Sequence, residues 1–255
     1  MASTKDVKVT LYWLEKSRSQ RILWLLEELN VPYEIKTFKR NKDMHAPDEL
    51  KKIHPLGKSP VISVQSSATT EPIVIAESGM ITEYLCDHFG GDRLVPARYA
   101  EGKEGLIGGE TEEWLRYRYY MHFAEGSLMP FLVFKLVTDT IKNPPGIPFF
   151  LKPIPRMVAN QVEDQFVNPN LFSTFDFLEG QLKSAPSGGP FFCGNRITAA
   201  DIMMSFPLIA ANTRLSLVEK YPLLGKYVEA LEKEEGYKRA IAKIQEVDGV
   251  FEASL

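Results

Sequence analysis

Strand-like patterning in this chain is packed into residues 7–76 and then almost disappears, although the chain runs to 255 residues. That asymmetry limits the architecture to a small α/β unit followed by a larger all-helical one. In the first unit "VKVTLYW" alternates and is rich in β-branched and aromatic residues, so it reads as a strand. "RILWLLEEL" sets Ile22, Leu25, Leu26 and Leu29 at helical spacing, and Asn30 marks the stop. "YEIKTF" is a second strand that follows one helix, which suits parallel pairing. A short helical "APDELKKI" comes next. The strands "PVISVQ" and "PIVIA" are then joined by a short polar "SSATTE", a hairpin pattern. "ESGMITEYLCDHF" is helical and "GGDRLVPARYAEG" is a linker, which bounds the first unit at residues 1–92. The second, residues 102–255, opens on a long helical pattern interrupted at Gly126 and Pro130, where a kink is expected. After the proline-rich "KNPPGIPFFLKPIP", further helices are expected at about 156–184, 198–217 and 222–244.

Composition narrows the partners. A net charge of −3 gives no basic surface for nucleic acid or an anionic membrane. Cys86 and Cys193 are far apart and match neither a metal nor a C-x-x-C spacing, so a disulfide framework is not expected and a reducing compartment fits. "MASTKDVKVTLYW" lacks a secretory apolar core, and no run approaches the ~18 apolar residues of a transmembrane segment. The terminal "EASL" is not a retention or peroxisomal address. A cytoplasmic protein without bound metal is the expectation, since no pair of His, Asp or Glu residues has ligand spacing.

Three stretches carry chemistry. The order β-α-β-α, hairpin, helix is that of a thioredoxin-like fold, whose substrate edge uses a cis proline before the third strand. Pro60 in "GKSP" stands at that point. A cis bond there turns the Ser59 N–H and C=O outward, ready to pair with an extended peptide, whereas a trans proline simply starts the strand. In "AESGMI", Ser78 caps a helix, and the N–H groups of that helix start suit a carboxylate. Glu77 beside it suits an ammonium group, so the pair is either a cap next to a solvated acid or a clamp for an α-amino acid head group. "RITAADIMMSFPL" holds Thr198 and Asp201 as a capping box inside an Ile197–Ile202 hydrophobic staple, with Asp201 buried and hydrogen-bonded. The cluster Trp114, Tyr117, Tyr120, His122 and Phe123 fits a core or interface better than a ligand pocket.

Together, "SRSQRILWLLEELNVPYE", "LKKIHPLGKSPVI", "AESGMITEYL" and "ITAADIMMSFPL" resemble the glutathione transferase family over nearly the whole chain. The "WL..SR", "ELKKIHPLG.SP", "EGSL.P" and "ADI.MSFPL" patterns resemble its fungal branch, related to the yeast type I enzyme. The resemblance implies an α/β thioredoxin-like N-terminal domain that binds glutathione as co-substrate, an all-α C-terminal domain that holds a hydrophobic electrophile, and a homodimer active in detoxification. It makes a cis Pro60 and a Glu77–Ser78 clamp the expected forms. It assigns Ser59, beside Pro60, to the cysteinyl backbone, Glu77 and Ser78 to the γ-glutamyl head group, and Lys58 to the glycyl carboxylate, with His54 or Arg40 assisting and Lys16 and Arg18 also at the bound glutathione. Tyr117, Tyr120 and His122 become candidates for the electrophile pocket.

The chemical task so implied is to make a thiolate. Lowering a thiol pKa of about 8.5 by two pH units takes roughly 2.7 kcal/mol. If Arg21 matches the arginine early in the first helix of the serine- and cysteine-type classes, Lys16 falls at their activating position. Ser17 follows one residue later, and a one-residue shift brings it into place. Ser17 is therefore the expected activating residue, with Lys16, Arg18, Ser19 and backbone N–H groups as alternatives. With no cysteine in the turn, conjugation or peroxide reduction is expected over disulfide reduction. A non-catalytic binding module of the same fold is the remaining alternative.

Overall fold

The computed structural model describes residues 6–251; the terminal-address reading at residues 252–255 and the first part of the leader reading, residues 1–5, lie outside the described residues. A four-stranded sheet has the order β2-β1-β3-β4, built from β1 (Lys8–Leu14), β2 (Tyr33–Phe38), β3 (Val61–Gln65) and β4 (Ile73–Ala76). β1 pairs parallel with β2 and antiparallel with β3, and β3 pairs antiparallel with β4 as the hairpin pattern requires. β1 is buried on both faces. Val9, Leu11 and Trp13 enter the main core, while Tyr12 and Leu14 pack with Leu50 and Val61 beneath the sheet. Leu50 comes from a short helical turn, Asp48–Lys52.

The helix α1 (Ser19–Leu29) is buried at every position except Glu27, and it stops at Asn30, which takes the left-handed φ of 54°. α2 (Ser78–His88) follows β4. The second unit contains α3 (Glu112–Phe123), α4 (Met129–Lys142), α5 (Pro153–Val162), α6 (Asn168–Lys183), α7 (Ala199–Leu215), α8 (Leu217–Lys220), α9 (Pro222–Lys233) and α10 (Glu235–Asp248). The two units share one apolar core, in which Trp24 of α1 meets the Tyr237 ring of α10 edge-on at 5.0 Å. This is a thioredoxin-like domain joined to a helical domain. Among the described residues no helix is long and apolar enough to cross a membrane.

The expected kink between α3 and α4 is a π-helical turn, Ala124–Leu128, and it brings Pro130 into the first turn of α4 where a missing N–H costs little. The expected helix at about 222–244 is two helices, because Glu234 takes extended angles (φ −63°, ψ 133°) between them. A second π turn, Glu163–Val167, separates α5 from α6. Its Glu163 carboxylate accepts from the Thr138 hydroxyl at 2.6 Å and from Lys142 at 2.5 Å, pinning α5 onto α4. Those donors and Lys135 hold the Glu163 carboxyl below its ordinary pKa, although burial acts the other way. Glu163→Ala is therefore expected to lower stability by about 1.5–3 kcal/mol, the cost of losing hydrogen bonds to a buried charge. Urea unfolding of the two proteins measures it.

Candidate active site

The turn between β1 and α1 is shaped by backbone ties. The Glu15 N–H donates to Phe38 O at 3.2 Å, and the Arg40 guanidinium donates to the carbonyls of Glu15 and Lys16 at 3.3 and 3.0 Å. Lys16 adopts a left-handed φ of 48°, which reverses the chain. The Ser17 hydroxyl donates to Leu14 O at 2.6 Å and accepts from the Ser19 N–H at 3.2 Å. Its one hydrogen is thus spent on closing the turn. Lys16 and Ser17 face a small cavity toward α10, lined also by Trp13, Gln20 and Asp248.

Arg18 points the other way. With His54, Lys58, Ser59, Pro60, Glu77, Ser78 and Glu125 it lines one polar cleft at the end of the sheet. All of these except Glu125 stand out in the sequence, and the fold brings them together. The Ser59–Pro60 peptide bond is cis. The Ser59 hydroxyl donates to Tyr12 O at 3.2 Å and shares a hydrogen bond with the Ser19 hydroxyl. The Ser59 backbone N–H and C=O have no partner among the described residues. Glu77 is exposed and holds a φ of 70°, a strained value for a residue with a Cβ. Its carboxylate is unpaired among the described residues, and it sits beside the first N–H groups of α2. Arg40 lies off the cleft, because its donors hold the turn.

An apolar groove adjoins the cleft, walled by Met129, Pro130, Val133, Phe134 and Val137 of α4. Tyr117, Tyr120 and His122 are not in its wall. Tyr117 and Tyr120 are 3% and 1% exposed and lie in the core, where Tyr120 stacks obliquely on Phe192 at 4.4 Å. His122 is exposed on another face of α3. Helical spacing explains the division: residues 117, 120, 121 and 124 share the inward stripe. Burial raises the pKa of both tyrosines, with no cation near enough to reverse it.

Glu125, on the first π turn, is the one charged residue of the cleft that the sequence does not mark. Its two oxygens accept separately from Arg18 Nη1 at 2.7 Å and Arg21 Nη1 at 2.6 Å. Arg21 is fully buried, and burial pulls its pKa down to about 10 against the opposing attraction of Glu125. The "EGSL.P" pattern was the available signal, but nothing in its spacing shows where the acid points. Among the described residues no cluster of three or more His, Cys, Asp or Glu side chains is arranged to hold a metal ion.

Comparison with known proteins agrees with this geometry. The family profile described as "Glutathione S-transferase, N-terminal domain" matches residues 17–88, and "Glutathione S-transferase, C-terminal domain" matches residues 160–230. The chain is 32% identical over 244 residues to glutathione S-transferase 1 of Saccharomyces cerevisiae, covering 95% of this chain and 98% of that one. A crystal structure of a glutathione S-transferase from Actinobacillus pleuropneumoniae superposes with a TM-score of 0.69 at 27% identity, covering 96% of this chain and 98% of that one. A glutathione transferase homologue from Lodderomyces elongisporus, crystallised with two glutathione molecules per subunit, shares the fold with a TM-score of 0.67 at 19% identity, covering 91% and 97% of the two chains. The chain belongs to the glutathione transferase family of enzymes.

Proposed function

We propose that the cleft binds glutathione and that the enzyme transfers its thiolate to small hydrophobic electrophiles held in the α4 groove. The observation that carries this reading is the convergence of complementary groups on one cleft. The unpaired Ser59 N–H and C=O suit the cysteinyl backbone. The Glu77 carboxylate suits the γ-glutamyl ammonium, and the Ser78 hydroxyl with the α2 N-terminus suits its carboxylate. Lys58 and His54 lie in the same cleft for the glycyl carboxylate.

For the thiolate we favour Arg18 over Ser17. Arg18 belongs to both the cleft and the groove, and among the described residues its guanidinium bonds through Nη1 alone, to Glu125, leaving Nε and Nη2 without partners there. The Ser17 hydrogen is committed to Leu14 O. Lys16 lies with Ser17 on the far side of the turn, while Ser19 gives its hydroxyl to Ser59. Conjugation or peroxide reduction is favoured over disulfide exchange, since Cys86 and Cys193 are buried away from the cleft and burial pushes the Cys86 thiol up to about 12. A homodimer in the cytoplasm completes the reading, with Ile73, Val74 and Met80 exposed along β4 and α2 as an apolar surface for a second copy.

Calorimetric titration with glutathione, followed by conjugation of a generic aryl halide beside peroxide and disulfide assays, tests the proposal. Failure to bind glutathione at millimolar concentration overturns it. Glu77→Gln is expected to raise the glutathione Kd about tenfold, roughly 1.4 kcal/mol, by removing the charge opposite the ammonium. Ser78→Ala is expected to have a smaller effect, because the helix N–H groups remain.

A further inference from the structure

Arg18 and Glu125 are the two residues common to the walls of the glutathione cleft and the apolar groove. Each Glu125 oxygen binds one arginine, Arg18 at 2.7 Å and Arg21 at 2.6 Å. Arg21 has nowhere else to go. Its side chain is fully buried, its Nε and Nη2 lack partners, and its guanidinium lies 5.4 Å from the Phe206 ring centroid with Nη1 3.9 Å from Met203 Sδ. The π turn that carries Glu125 is a rare backbone form that gathers at functional sites.

We propose that Glu125 is a positioning residue for the thiol chemistry: held from below by buried Arg21, its carboxylate fixes the Arg18 guanidinium on the line where the glutathione cleft meets the apolar groove. The inference rests on the reading that glutathione occupies the cleft. It extends that reading by making the thiolate site depend on a residue of the second domain, so that the active site is complete only when α1 and the α3–α4 junction are docked. The other charged groups of the cleft, His54, Lys58 and Glu77, make no bond to Arg18.

The sign of one measurement separates positioning from simple charge. Removing a negative charge near the sulfur would, by Coulomb's law alone, lower the thiol pKa. Losing the placement of Arg18 raises it. The thiol pKa of bound glutathione is read from thiolate ultraviolet absorbance in wild type, Glu125→Ala, Arg18→Ala and the double variant, beside kcat and KM. Glu125→Ala is expected to raise the thiol pKa and lower kcat about tenfold at neutral pH, with the glutathione KM changed less than about threefold. In the Arg18→Ala background the same change is expected to add nothing, because the residue acts through Arg18. A fall in the thiol pKa, or additive losses in the double variant, would overturn the inference. Should Glu125→Ala fail to fold around its unpaired Arg21, the paired change Arg21→Met, Glu125→Leu removes the buried guanidinium and its half-buried partner together. It is expected to show the same rise, and an unchanged thiol pKa in it overturns the inference as well. Absence of glutathione binding in wild type is a different failure: it removes the glutathione reading itself, and this inference with it.

Discussion

Arg18→Met is expected to raise the thiol pKa of bound glutathione by about one to two pH units and to lower kcat roughly 10- to 100-fold at neutral pH, the scale of one lost hydrogen bond to a charged group. Methionine keeps much of the length and apolar stem while removing the cation. The chain offers few substitutes at this position. The N-terminus of α1 adds a partial positive charge. The neighbouring hydroxyls, however, are bound to each other or to the backbone. Ser17→Ala gives the contrasting result: it opens the Leu14 tie and is expected to cost about 1 kcal/mol of stability while leaving the thiol pKa in place. Thiolate absorbance across a pH series reads both variants. A raised pKa in Ser17→Ala with none in Arg18→Met would return the activating role to Ser17.

Why the sequence pointed to Ser17 has a physical explanation. Spacing from Arg21 locates the turn to within a residue, but the side of the turn each side chain faces is set by the backbone reversal at Lys16, whose φ of 48° belongs to no residue preference that lysine announces. The same limit hid Glu125, which lies in a run of helical pattern and lines the cleft from a π turn that no spacing in the sequence announces. By contrast, the sheet was readable. Alternation marked the strands, the polar joint marked the hairpin, and parallel pairing of β2 followed from the helix between it and β1. Apolar spacing marked α1, and Asn30 marked its end. The same spacing in α3 reported burial of Tyr117 and Tyr120 and nothing about ligands. The groove wall lies one helix later, on α4, where Val133, Phe134 and Val137 remain exposed. Pattern thus located what the core needs, and it was silent on the polar groups whose direction depends on one or two unusual dihedral angles.

Asp201 shows the opposite case, a polar residue whose setting the sequence did disclose, and its removal carries the largest expected loss of stability. The carboxylate is fully buried and accepts four hydrogen bonds: from the Thr198 N–H at 2.8 Å, the Thr198 hydroxyl at 2.7 Å, the Tyr227 hydroxyl at 3.0 Å and the Phe192 N–H at 3.3 Å. Burial pushes its pKa up, and these donors pull it back only in part. They come from the start of α7, from α9 and from the loop after α6, so one carboxylate gathers three segments. The Ala199 N–H, in the first turn of α7, donates to Leu94 O at 2.9 Å and carries the tie to the segment that follows α2. Asp201→Ala leaves four donors without an acceptor and is expected to cost about 3–5 kcal/mol. For a chain of this size that lowers Tm by roughly 10 °C or more. Asp201→Asn is nearly isosteric, yet it turns an NH₂ group toward donors and should recover only part of the loss. Thr198→Ala removes one hydroxyl at the cap and is expected to cost about 1 kcal/mol. Thermal and urea unfolding of the three variants checks the order. An Asp201→Ala protein as stable as Thr198→Ala would mean that the buried donors find other partners, and that this carboxylate is not what holds the start of α7 against the rest of the core.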